Sequence, residues 1–441
     1  MLKKTLLGAV AAGVIALAPF AAPLATHATT RSAIHPNAIG DIVTLGGHNY
    51  KVGQNGGCQG PLVGVYGSSA LKNFIPVAAT NFCNAQSNKM TAPDVEYTID
   101  SGGDSCPGLD YAADNSDGNE IGVSDVFSAS CTGSQARPAS KVTDNKVAVN
   151  VVIAIAQCAG ASVVQGGAVE PANGSTFTAN PCQGNGDGNN DRTFVYPNDL
   201  SVGQAQALFS LTVQDLGQIG GTTGSPPVVQ NRVVGSGTRI TYCDNVFGTG
   251  NDASCANNSF NLAPGSGDEE TDVCGGNPFP SPPVSQPSQD VNSIGYNSRA
   301  GILVDARKSA PALTPVSGCG IVSLNNHTGW NATCNPLNPT TLDGPSASGD
   351  GVTECNGDNE VISGAYTPWG YEHFFLNAGS TNNAAAKQFI SFLTANANVN
   401  PAPTGSEQAA LQQQGFMRLC QMQFTRGIDA GPFSSASSTT C

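Results

Sequence analysis

The chain of 441 residues carries 32 acidic against 18 basic side chains, a net charge of −14, and only 11% of its residues are charged, against about 25% in an ordinary globular protein. That balance excludes nucleic acid and anionic membrane surfaces as partners, because both require a basic face. It does not exclude a small anion, since carboxylates more than about 8 Å away are screened in physiological salt and the local donors decide.

Lys3 and Lys4, the apolar stretch from Leu6 to Phe20 and the small residues after it read as a secretion signal cleaved after Ala28, so that residues 1–28 are removed. Pro19 and Pro23 interrupt the apolar run, which is short for a membrane span. No cysteine stands at a lipid-attachment position. The expected product is exported, periplasmic or extracellular, and not lipid-anchored, with residues 29–40 as a leader. Fourteen cysteines fit an oxidising compartment and permit seven bridges. Connectivity is open from sequence; pairing of neighbours gives 58–83, 106–131, 158–182 and 420–441. None lies in a C-x-x-C pair and histidines number five, which disfavours a zinc cluster.

Four short apolar runs, Leu62 to Tyr66, Val95 to Ile99, Glu120 to Ser124 and Val147 to Ala156, each precede a Gly/Ser/Asp cluster. This is the pattern of strands whose C-terminal ends carry ligand loops in an α/β sheet. The run starting at Val147 is long enough to connect two domains. Helical spacing marks residues 200–211, with Ser201 as N-cap, and residues 385–397. Pro-, Gly- and Asn-rich segments at 183–191, 251–274, 278–288 and 335–355 read as long loop insertions. Within the first of these, residues 187–191 have the alternating oxygens of a calcium loop but lack its glycine and terminal glutamate, so a solvated loop competes with a cation site.

The segment Arg232-Val233-Val234-Gly235-Ser236-Gly237-Thr238 carries the chemistry. Glycines permit close backbone approach, and the amides of Ser236, Gly237 and Thr238 are placed where a helix N-terminus points its free N–H groups. Two hydroxyls and a planar five-donor guanidinium complete a site suited to a tetrahedral oxyanion. The same glycine-serine run is also an ordinary turn with an N-cap.

Four other segments accompany it in order: Tyr66 to Leu71, Ser101-Gly102-Gly103, Gly122-Val123-Ser124-Asp125, and Asn292 to Tyr296. Together with Arg232 to Thr238, these blocks resemble the phosphate-binding protein of the bacterial phosphate ABC transporter, a class II periplasmic binding protein. The resemblance implies an α/β fold of two domains joined by hinge strands, here disulfide-rich and with long loop insertions. The first domain would comprise residues 41–149 and 363–441, and the second 150–362. It implies a phosphate site formed by Ser69, Ala70, Ser101, Asp125, Arg232, Ser236, Gly237 and Thr238, with no cofactor and no metal, and a membrane ABC permease as the delivery partner of a monomer. Within it Asp125 would accept the proton that phosphate keeps near neutral pH and sulfate lacks, so that sulfate meets only repulsion. An aspartate after a strand is equally an Asx turn or a helix cap. One position departs from the pattern: the residue two after the arginine is Val234, where the family often has an aspartate that holds the guanidinium.

Hydrolase signatures are missing. There is no Gly-x-Ser-x-Gly elbow, Glu372-His373 has no second histidine at metalloprotease spacing, and no lysine follows Gly237-Thr238 as a nucleotide loop requires. The reading is therefore a binding protein and not an enzyme. The alternative is a secreted surface or matrix protein that keeps the fold without a transport function.

Overall fold

The computed structural model describes residues 42–45, 48–55, 57–72, 74–99, 105–114, 120–157, 196–197, 199–221, 223–224, 226–256, 262–263, 273, 293–300, 319–327, 329, 360–397 and 406–436. The expected signal and leader, Ser101, the segment 187–191, Cys158, Cys182 and Cys441 lie outside them.

The first part of the chain alternates strand and helix. β1 (Ile42–Leu45) and β2 (His48–Asn55) form an antiparallel pair, followed by β3 (Leu62–Gly67), α1 (Phe74–Ala85), β4 (Asp94–Ile99), α2 (Ser105–Asp114) and β5 (Glu120–Ser124). β3 runs parallel to both β4 and β5. α1 buries Phe74, Ile75, Ala78, Ala79 and Phe82, the spacing of one helical face.

The long strand β6 (Val142–Gln157) then crosses the molecule. At about 3.3 Å per residue its 16 residues span roughly 50 Å. Beyond it come β7 (Asp199–Leu200), α3 (Val202–Phe209), β8 (Val228–Val229), β9 (Asn231–Arg232), α4 (Gly237–Phe247), β10 (Leu262–Ala263), β11 (Ser293–Ser298) and β12 (Cys319–Leu324). β13 (Trp369–Asn377) returns, and α5 (Ala384–Thr394), α6 (Glu407–Gln413), β14 (Phe424–Thr425) and β15 (Ser434–Ser435) complete the described chain. Ser201 caps α3 as the sequence suggests: Gln204 donates its amide to Ser201 Oγ at 3.2 Å and returns a side-chain acceptor to the Ser201 amide at 2.8 Å, a reciprocal capping box.

The result is a mixed α/β protein around one mixed sheet, ordered β1-β2-β4-β3-β5-β13-β6-β11-β8, with β12 joining β6 to β7. The first two thirds of β6, from Val142 to Val151, pair with β13; its last third pairs with β11 and β12. The apolar packing changes over at the same place. Val147 and Ala148 belong to the cluster with α1, α5 and Phe374, whereas Val149 and Val151 to Ala156 belong to the cluster with α3, Tyr242 and Trp369. A continuous apolar run buried on both faces is what such a central strand needs.

Three disulfides fall within the described residues: Cys58–Cys83, Cys106–Cys131 and Cys243–Cys255. The first two follow the expected neighbour pairing. The third, across 12 residues, was not among the expected pairs. Cys420 is disulfide-bonded as well.

Candidate oxyanion site

Arg232 closes β9, and the chain then turns through Gly235, whose φ of +91° lies in the left-handed region that glycine enters without strain. Ser236 is the N-cap of α4, and Gly237 is its first residue. The Ser236 amide bonds the Val233 carbonyl at 3.2 Å and so closes the turn. The amides of Gly237, Thr238 and Arg239 open the helix, where no preceding turn offers them a carbonyl. Arg232, Ser236 and Thr238 are each about 1% exposed.

Val234 is half exposed and does not hold the guanidinium. The arginine's backbone is instead fixed by three contacts. Its N–H donates to Tyr296 Oη at 3.4 Å, its carbonyl accepts from Arg239 Nη1 at 2.8 Å, and β9 pairs in parallel with β10. Arg239 is fully buried and also donates through Nη2 to the Cys255 carbonyl at 2.6 Å. This second arginine thereby links the Arg232 turn to the loop closed by the Cys243–Cys255 bridge. Tyr296 is held in turn by stacking on Tyr242, with ring centroids 4.7 Å apart.

Facing this loop is the end of β5. Asp125 is 3% exposed, and Thr238 Oγ1 donates to its Oδ2 at 3.4 Å. The Asp125 amide donates to Ser105 Oγ at 3.1 Å, and the Cys106 amide donates to the Gly235 carbonyl at 3.3 Å. The first turn of α2 is thus brought against the glycine loop. Contact is closest at Gly237: a Cβ there would lie 2.3 Å from Ser105 Oγ and 2.7 Å from Asp125 Cβ. Only glycine fits between them. Beside Asp125, Ser69 and Ala70 form a single buried turn after β3, capped by Ser68, whose Oγ accepts the Ala70 amide at 3.1 Å.

Burial pushes the Asp125 carboxyl above the usual carboxylate range, while the Ser68 hydroxyl, the Arg232 charge, the Glu372 carboxyl and the Ser105 hydroxyl draw it back down. Glu372, on β13, is raised further still, by burial and then by the neighbouring Asp125. Oδ1 of Asp125 and both carboxyl oxygens of Glu372 receive no hydrogen bond from a surrounding donor. The cluster therefore joins a guanidinium, hydroxyls and first-turn amides to a buried carboxyl with a free acceptor. That is the donor and acceptor set of a protonated oxyanion.

Of the residues expected from the sequence, Asp125, Arg232, Ser236, Gly237 and Thr238 are brought together, and Ser69 and Ala70 follow Ser68, whose hydroxyl acts on Asp125. The amides of Ser236 and Ala70 are engaged within their own turns. Ser101 lies outside the described residues. Ser68, Ser105, Arg239 and Glu372 were not foreseen. For Ser105 a signal existed, because Pro107 two residues on marks the first turn of a helix. Glu372 offered none, since its place depends on how β13 pairs.

No protein-family model matches the sequence, and no curated protein matches it. Among solved structures the chain is similar to a Clostridium perfringens protein described as a phosphate ABC transporter substrate-binding protein with bound phosphate, at 15% identity and a TM-score of 0.47, covering 81% of this chain and 99% of that one. It is also similar to an ABC-type phosphate transport receptor from Vibrio cholerae, at 12% identity and a TM-score of 0.40, covering 80% and 99%. A third is a phosphate-binding protein from Stenotrophomonas maltophilia, at 14% identity and a TM-score of 0.41, covering 81% and 90%. Among the described residues no helix is long and apolar enough to cross a membrane, and no group of three or more His, Cys, Asp or Glu is placed to hold a metal.

Proposed function

We propose that this chain is an exported solute-binding protein that captures inorganic phosphate between the two halves of its sheet and passes it to a membrane ABC permease. The observation that carries the reading is the burial of Asp125 together with Arg232 and the opening turn of α4 across the Gly237 contact. A buried cation and helix-terminal amides by themselves suit any oxyanion. Adding a carboxylate acceptor makes sense only for an anion that brings its own proton.

Residues 41–149 with 363–441 and residues 150–362 are the two bodies of this reading, and β6 and β13 are the strands on which they hinge. Closure would replace the hydration of the anion with donors already held in place. Ser69, Ala70 and Ser101 would complete the site on the first body, and Ser236, Gly237 and Thr238 on the second. No step of catalysis is involved.

Calorimetry of the purified protein with phosphate, arsenate and sulfate tests the reading. Phosphate and arsenate, which keep a proton near neutral pH, should bind, and sulfate should not. Equal binding of sulfate would remove the role assigned to Asp125. No binding of any of the three would favour a secreted surface or matrix protein that has the fold without the ligand.

A further inference from the structure

Asp125 has a partner that the sequence did not announce. β13 and β5 are antiparallel, with His373 opposite Ser124, Phe374 opposite Val123 and Phe375 opposite Gly122. Glu372 and Asp125 are the next residues beyond that pairing, β13 being irregular between Glu372 and His373, and their carboxyls lie against each other. Both side chains are buried, Glu372 fully. Two buried carboxylates side by side repel in a medium that screens them poorly. A single proton between them turns that repulsion into a short, charge-assisted O–H···O bond.

The surroundings say where the proton resides. Asp125 faces the Arg232 guanidinium from the glycine loop and the hydroxyls of Ser68, Ser105 and Thr238, all of which favour its ionised form. Glu372 faces the Asn150 amide on β6, whose Oδ1 is occupied by the Ser298 hydroxyl at 2.7 Å. Among the described residues Tyr97 on β4 also lies beside the pair, buried and held by its own hydrogen bond to the Ser68 carbonyl at 2.5 Å. Among the described residues, Arg232 is the cation that acts on Asp125, and none acts on Glu372.

We propose that Glu372 is a positioning residue that carries the proton of a carboxyl pair with Asp125, and that this proton sets the pH range over which the cleft accepts a protonated oxyanion. The proposal rests on the oxyanion reading above. With Glu372 protonated, its O–H donates to Asp125, which keeps a single charge and a lone pair for the ligand's proton. When Glu372 releases its proton to solvent, the pair bears two negative charges opposite an anion, and affinity falls.

The test follows phosphate binding by calorimetry from about pH 7 to about pH 9.5, with each affinity referred to the singly protonated phosphate present, so that the profile reports titration of the protein and not of the ligand. Wild type should lose at least about tenfold in affinity across it, the equivalent of about 1.4 kcal/mol. Glu372→Gln keeps a donor but no titratable proton, so it should bind within a few-fold of wild type near pH 7 and show a flat profile. A flat wild-type profile, or the same fall in Glu372→Gln, overturns the proposal. A second measurement needs no ligand: infrared spectra of the ligand-free wild type should contain a protonated-carboxyl C=O band that disappears on alkaline titration. In the difference spectrum against Glu372→Gln that band should be assigned to Glu372. Its absence refutes the shared proton even if phosphate binds. Its presence in a protein that binds no phosphate at any pH would support the carboxyl pair and refute the oxyanion reading.

Discussion

Arg232 is almost wholly buried, and both its backbone groups are held by other side chains. Arg232→Lys therefore tests the guanidinium with little disturbance of the turn around it. A lysine provides one point charge and cannot present two parallel donors to an oxyanion. Phosphate affinity is expected to fall at least about tenfold, while the unfolding free energy from urea titration falls by no more than about 1 kcal/mol. A large loss of stability with unchanged affinity would mean that the arginine serves the fold. Asp125→Asn asks a different question. An amide can donate to a fully ionised anion where a carboxylate can only accept, so sulfate binding should appear in the variant, as read by competition calorimetry. If Asp125 were merely a cap, the exchange would be nearly silent, because asparagine caps about as well as aspartate.

At the scale of elements, the decisive contact is that between the first turns of α2 and α4. Gly237→Ala adds one methyl group where Ser105 Oγ and Asp125 Cβ leave 2.3 and 2.7 Å. Overpacking of this kind costs about 1–3 kcal/mol, and alanine is the better helix former by about 1 kcal/mol. The variant should keep α4 and lose about 5- to 150-fold in phosphate affinity, since the added methyl separates the elements that surround the ligand. Binding as tight as wild type would show that the two turns do not need to touch. The other end of α4 is fixed by Cys243–Cys255, and the carbonyl of Cys255 receives Arg239. Replacing both cysteines with serine opens a loop of 12 residues and should lower unfolding free energy by about 2–3 kcal/mol. Affinity should weaken as well, because Arg239 loses one of the anchors through which it steadies Arg232. Urea titration and calorimetry of the same variant separate these effects.

Across the whole molecule, several acids are buried where the charged form is disfavoured. Burial raises Asp125, Glu372, Asp429 and Glu407 above the ordinary carboxylate range, and pushes Asp244 up to about 6. For each of these groups the folded state holds a proton more tightly than the unfolded chain does. Their contribution to stability is complete below the unfolded pKa, near 4, and is lost as pH rises through the folded value. The ligand-free protein should therefore melt at a higher temperature near pH 5 than near pH 8. Asp244→Asn, which preserves the acceptor for the Asn251 amide at 2.9 Å, should reduce that slope around pH 6. A melting temperature that climbs from pH 5 to pH 8 would contradict the burial of these carboxyls in the folded protein.

Local order was legible from residue type because it depends on neighbours in sequence. The strands near 62, 95, 120 and 147, the Ser201 cap, the bridges 58–83 and 106–131, and the helix opening at Gly237 all follow from apolar runs, capping chemistry and short loop closures. So did the suitability of Arg232 to Thr238 for an anion, since a guanidinium, hydroxyls and helix-terminal amides lie within seven residues. What surrounds that loop was decided by tertiary structure alone. Ser105 meets Gly237 across 132 positions of chain, Arg239 holds the backbone carbonyl of Arg232, and Glu372 reaches Asp125 because β13 pairs with β5. Strand pairing at long sequence separation is set by the fit of whole cores, and a shift of one residue would turn Glu372 to the opposite face. The sequence thus determined which donors stand together in the glycine loop, and the fold determined which carboxyls are set beside them.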